Sequence, residues 1–147
     1  MWVLAGIGKT AVASIEWKPE LEIGVPELDA QHRHLIGLIN RLESAIREGA
    51  TDGITEEILS QLVNYVRFHF ATEERFMAEN SYVKTDQHAD LHYWMIHKVA
   101  REVAQLKTER AITPINLLTF LRKWLVEHIQ DEVADLRELA RKVTVRH

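Results

Sequence analysis

TEEILSQLVNYVRFHFATEERFM, residues 55–77, decides the fold. Within it Ile58, Leu62, Tyr65, Val66, His69, Glu73, Phe76 and Met77 recur at steps of three and four. That is the period of one face of an α-helix, and no strand-like alternation competes with it. The face is apolar except at two places. His69 and Glu73 stand where the period expects core residues, one turn apart on the same side. Burying a carboxylate without a partner is costly, so this stripe needs neutralising neighbours or a cation.

The pattern repeats on both sides. Upstream, His32, Leu35, Ile36, Ile39, Leu42 and Ile46 define the inner face of a helix predicted to begin near Asp29 and to stop at Gly49. Gly24-Val25-Pro26 reads as a turn before it, and Asp52-Gly53 as a turn after it. The second helix then runs from about Thr55 to Asn80-Ser81. Downstream, His88, Leu91, His92, Met95, Ile96, Val99, Val103 and Leu106 give the face of a third helix starting near Thr85. The fourth has the clearest start, with Thr113 as N-cap and Pro114 at the first helical position. Its face reads Leu117, Leu121, Trp124, Leu125, His128, Glu132, Leu136 and Leu139. Four helices with short loops predict an all-α, antiparallel up-down-up-down four-helix bundle with an N-terminal arm. Residues 17–147 form that domain, behind an extension of residues 1–16.

Composition bounds the chemistry. The chain has 147 residues, enough for one domain with a buried core. Its net charge is −4 and it has no long basic run, which argues against nucleic acid as partner. With no cysteine, disulfides, thiolate zinc sites, iron–sulfur clusters and a cysteine nucleophile are excluded. No apolar run reaches the length of a membrane span, and Met1–Ile15 lacks the marks of a signal peptide, so the expected location is cytoplasmic. Gly8-Lys9-Thr10 imitates the end of a phosphate loop, but Val3 occupies the position of the required first glycine.

Any metal must therefore be held by His, Asp and Glu, which suit iron, manganese, zinc or nickel. One histidine on an apolar face is usually a satisfied core residue, and one His-x-x-x-His pair is a weak signal. Here four helices agree. His32, His69 with Glu73, His88 with His92, and His128 with Glu132 all fall on inner faces. A dinuclear metal site satisfies five imidazoles and two carboxylates together, with imidazoles capping each ion and carboxylates bridging. His34 and His97 are off the inward phase and His147 is terminal, so all three are expected in solvent.

Asp29-Ala30-Gln31-His32, Leu35 to Asn40, His69-Phe70-Ala71-Thr72-Glu73-Glu74, His88-Ala89-Asp90-Leu91-His92 and Trp124-Leu125-Val126-Glu127-His128-Ile129 together resemble bacterial hemerythrins and the wider HHE cation-binding domains. The resemblance runs from about Trp17 to Leu139. It implies two iron ions per chain, bridged by oxo or hydroxo and by carboxylates, that bind dioxygen reversibly at one iron. Zinc or manganese would be accepted as substitutes. It carries over onto His32, His69, Glu73, His88, His92 and His128, with Glu73 bridging. By the same pattern His88, His92 and His128 hold one iron and His32 and His69 the other. Bacterial hemerythrins usually place a bridging aspartate five residues after the last histidine, where this chain has Val133. Glu132 is the expected replacement, because i+4 lies over the face of His128, with Asp131 as the alternative.

The imidazole-rich, carboxylate-poor set donates little negative charge, which favours an oxygen binder over an oxygen-activating enzyme. Ferritin-like enzymes use Glu-x-x-His pairs, and this sequence has none. Leu121, Trp124, Met95 and Ile96 are the expected walls of a dry oxygen pocket. The rival readings are a di-iron enzyme of peroxidase, nitric-oxide or iron-repair type, with Met95 and Tyr65 near the site, and a redox or iron sensor. For sensing, the partner would be a signalling or redox protein, with Met1–Ile15 as the junction to a signalling domain.

Overall fold

The structure is a computed structural model that describes residues 14–108 and 113–145. Residues 1–13, with Gly8-Lys9-Thr10 and most of the expected extension, and His147 lie outside the described residues. Among the described residues, a short 3-10 turn (Pro19–Leu21) precedes four α-helices: α1 (Pro26–Arg47), α2 (Asp52–Glu79), α3 (Thr85–Thr108) and α4 (Pro114–Val145). Each helix packs on its sequence neighbour and α1 also packs on α4, while the backbones of the diagonal pairs stay apart and meet only through side chains such as Glu73 and His128. This is the square cross-section of an up-down-up-down bundle.

Two helices begin earlier than expected. α1 starts at Pro26, and Asp29 sits in its first turn rather than before it. The Asp29 carboxylate accepts from the backbone N–H of Ile23 (2.8 Å) and of Gly24 (3.0 Å), which turns the arm onto the helix. Gly24 has φ 102°, a left-handed value that favours glycine. α2 starts at Asp52 because Thr51 caps it, its Oγ1 accepting from Ile54 N at 3.3 Å. Asp52-Gly53 is thus the first helical turn, not a loop. Thr113 caps α4 as expected, accepting from Asn116 N at 3.2 Å.

The arm is stitched to the bundle. Ile15 exchanges two hydrogen bonds with the Asn40 side chain (2.9 and 3.0 Å), and the Arg33 guanidinium lies over the Trp17 ring. Arg137 of α4 donates to the carbonyls of Glu20 and Glu22.

The apolar stripes close into two clusters. The larger joins Leu35, Leu42, Leu62, Phe70, Val99, Leu121 and Leu125 among others. The smaller joins Ile23, Leu28, Met77, Leu136 and Ala140. His32 falls between Leu28 and Leu35, Glu73 between Phe70 and Met77, and Glu132 between Ile129 and Leu136. The polar residues therefore form a layer between two apolar ones. Val133 packs against both clusters as an ordinary core side chain. One inward assignment fails. Leu91 is 65% exposed, because α3 and α4 pack less closely than the other neighbouring pairs and leave a cleft that it borders.

Candidate metal centre

The helices bring the last third of α2 and the middle of α4 against the beginnings of α1 and α3 at a single level. Antiparallel neighbours thus place residues distant in sequence around Glu73. That carboxylate is fully buried, and so are His32 and His69. Its Oε2 stands 3.5 Å from His32 Nε2 and 3.2 Å from His69 Nε2. Its Oε1 stands 3.3 Å from His92 Nε2 and 3.4 Å from His128 Nε2. Each oxygen faces its own pair of imidazoles. Neither oxygen has an aligned hydrogen bond.

Among the described residues, two groups have donor atoms close enough together to hold an ion. One is His32, His69, Glu73 and His128; the other is Glu73, His92, His128 and Glu132. Glu73 and His128 belong to both. Glu132 is buried, with Oε1 3.3 Å from His88 Nδ1 and 3.9 Å from His92 Nε2. Asp131 is exposed and joins neither group. His88 also lies outside both, since Asp135 engages its Nε2 at 3.1 Å and leaves Nδ1 toward Glu132. His34 and His97 are exposed. His34 stacks on Tyr65, and both line a separate groove with Leu38, Gln61, Asn64 and Phe68, so Tyr65 is not a site neighbour.

Three residues that the helical period did not single out hold the rings. The amide of Gln31 meets His69 Nδ1 at 2.8 Å. Glu74 Oε2 meets His92 Nδ1 at 2.8 Å, and Asp135 holds His88. Gln31 and Glu74 stand in the motifs quoted above, next to His32 and Glu73. Their neighbour positions were the available signal. Phe70 stacks face to face on His92, with ring centres 3.8 Å apart, and Trp124 stacks on His128.

The electrostatics of these side chains follow from burial against pairing. Burial dominates at His69 and lowers its pKa to about 4 despite Glu73. Burial also resists ionisation of Glu73, yet the imidazoles of His128 and His69 hold its carboxyl well below the usual range. At His92 burial opposes charge, but Glu132, Glu73 and Glu74 raise the imidazole to about 10. His88 is raised chiefly by its hydrogen bond to Glu132. Burial and Glu73 work against ionisation of Glu132, and His88 and His92 nevertheless lower it. Protonated His92 thus supplies positive charge that the buried carboxylates demand, a role a cation would take over.

Between α3 and α4 a cleft of about 230 Å³ reaches the site. Met95 and Trp124 line it, together with Phe70, Leu91, His88, His92 and His128. Leu121 and Ile96 belong to the larger apolar cluster instead. Glu127, Asp131 and Asp135 border the same cleft, so its lining is part polar rather than wholly dry. No helix among the described residues is long and apolar enough to cross a membrane.

Comparison with known proteins finds one matching family model and several relatives. The family model described as Hemerythrin HHE cation binding domain matches residues 23–140. A bacteriohemerythrin of Stenotrophomonas maltophilia is 31% identical over 121 residues, covering 82% of this chain and 78% of that protein. One from Pseudomonas aeruginosa is 28% identical over 123 residues, covering 84% and 79%. A hemerythrin-like protein of Naegleria gruberi is 29% identical over 121 residues, covering 82% and 89%.

Proposed function

This chain belongs to the hemerythrin HHE cation-binding family, and from that membership and the geometry of the site we propose that it binds dioxygen reversibly at a dinuclear iron centre. The observation that carries the proposal is Glu73, whose two oxygens each face a different pair of imidazole Nε2 atoms. That is the placement a bridging carboxylate needs.

The residues present fit such a centre. His32 Nδ1 and Nε2, both Glu73 oxygens, His92 Nε2 and Glu132 Oε2 are buried without hydrogen-bond partners. Buried polar groups are ordinarily paired, so this concentration of orphans at one level calls for an ion. We assign His32 and His69 to one ion and His88, His92 and His128 to the other, with Glu73 and Glu132 shared. Zinc or manganese suits the same donors. Iron is assigned from the family.

When bound, the iron pair supplies the electrons that dioxygen takes up on binding and returns on release. The chain's own residues fix the ligands and limit water. Gln31, Glu74 and Asp135 hold the rings of His69, His92 and His88 through the ring nitrogens they engage. Phe70 and Trp124 cover the His92 and His128 faces with apolar surface. The imidazole-rich donor set carries little negative charge, which disfavours high-valent iron and supports a binder over an enzyme.

The test joins metal analysis to visible absorption of the anaerobic, iron-loaded chain before and after air. The reading expects two irons per chain, colourless when reduced, with charge-transfer bands in air that vanish when oxygen is removed. Immediate oxidation without a reversible adduct would replace it with a di-iron enzyme or redox sensor.

A further inference from the structure

The seven residues assigned to the ions are not equally enclosed. The side chains of His32, His69 and Glu73 have no exposed surface, whereas His88, His92 and His128 keep 8%, 5% and 8%. All three of these border the cleft between α3 and α4. Among the described residues the site therefore opens toward this cleft. A charged ion crosses apolar packing poorly, and this direction is where packing is loosest.

The mouth of that cleft is acidic. Glu127, Asp131 and Asp135 follow one another at four-residue spacing, so they share one face of α4, and all three border the cleft. Like charges at that spacing repel. Lys123 offsets them only loosely, with Nζ 3.9 Å from Glu127. Deeper in the same cleft stands Glu132, 1% exposed, with Oε2 lacking any partner.

We propose that this cleft is the route by which metal ions enter the site, with Glu127, Asp131 and Asp135 drawing cations to its mouth and His88 handing them inward. The inference rests on the metal-centre reading above. The hand-off has a continuous set of donors. Asp135 Oδ2 lies 3.1 Å from His88 Nε2, and His88 Nδ1 lies 3.3 Å from Glu132 Oε1. Glu132 Oε1 lies 3.9 Å from His92 Nε2, which lies 3.3 Å from Glu73 Oε1. One imidazole thus spans mouth and interior, with Nε2 facing Asp135 and Nδ1 facing Glu132.

The experiment follows uptake of cobalt(II) by the metal-free full chain at low ionic strength, using its visible absorption in a stopped-flow mixer. Acidic clefts raise cation on-rates by about 10 to 1,000-fold. Replacing Glu127 and Asp131 together (Glu127→Gln, Asp131→Asn) should slow uptake about tenfold without changing the final cobalt content. A control with the same loss of charge on α2 (Glu56→Gln, Glu57→Gln) should keep the original rate. Leu91→Trp, which narrows the mouth without touching charge, should also slow uptake. Unchanged rates in the mouth variants, or equal slowing in the α2 control, would overturn the entrance and leave the metal centre standing. A wild-type chain that takes up no cobalt would overturn the metal centre itself.

Discussion

The imidazole of His69 donates from Nδ1 to the amide oxygen of Gln31, 2.8 Å away. The direction is fixed by what lies behind it. Thr72 donates its hydroxyl to Phe68 O, so its oxygen accepts from Gln31 Nε2 at 3.2 Å, and the amide oxygen must face His69. His69 Nε2 is left bare toward Glu73, which is the state a metal ligand needs. Gln31→Leu removes this orientation while keeping bulk. Metal affinity should fall about 10–100-fold, read by competition with a chelator. Unchanged affinity would mean that packing alone sets the ring.

Glu73→Gln should abolish stoichiometric metal binding, because it weakens the one carboxylate facing four imidazoles. Glu132→Gln should lose part of the metal. Asp131→Asn should bind the same final amount, since Asp131 is exposed and outside both donor groups. Metal content per chain decides among them, and loss of metal from Asp131→Asn would reverse the choice of Glu132.

The metal-free chain should be most stable near pH 6.5. The lowered pKa of His69, about 4, means the folded state resists its protonation, so stability falls as pH drops from 6.5 toward 4. The depressed carboxyls of Glu73 and Glu132 add to that loss at lower pH, since their contribution is present only while they are ionised. The raised pKa of His92, about 10, works oppositely. Its contribution is complete below 6.5 and is lost as pH rises toward 10. Urea titrations of chelator-treated protein at several pH values check this, and a flat profile would contradict the arrangement of charges.

Loading the chain with a divalent metal near pH 7 should release protons, because His92 is protonated in the metal-free site and must be neutral to bind. The release is measured in weak buffer with an indicator dye. No release would mean that His92 does not join the ion.

Phe70→Ala should destabilise the chain by about 3–5 kcal/mol, the usual cost of an aromatic truncated in a core. Phe70 is 1% exposed and touches His92, His128 and Trp124. It should also loosen the metal, because the His92 ring loses its stacking face. A loss below 1 kcal/mol in chemical denaturation would mean the neighbouring rings collapse into the space.

Much of this protein was legible locally. His69 and Glu73 interrupt an apolar stripe that a reader can count, and the Thr113-Pro114 start of α4 is a local signal that the structure repeats. Asp52-Gly53 misled because the pair favours turns, while the Thr51 cap that overrides it depends on one side-chain hydrogen bond. Leu91 misled because the period gives a residue's angle about its own helix but not the distance to the next one.

The sequence by itself determined four amphipathic helices and which polar side chains interrupt their inner faces, because helical period is a property of neighbouring residues. Only the tertiary structure decided that each Glu73 oxygen faces two imidazoles, that Asp135 holds His88 by Nε2 with Nδ1 toward Glu132, and that α3 and α4 part into an acid-lined cleft. Those facts are distances between helices, set by how closely side chains far apart in the chain can pack.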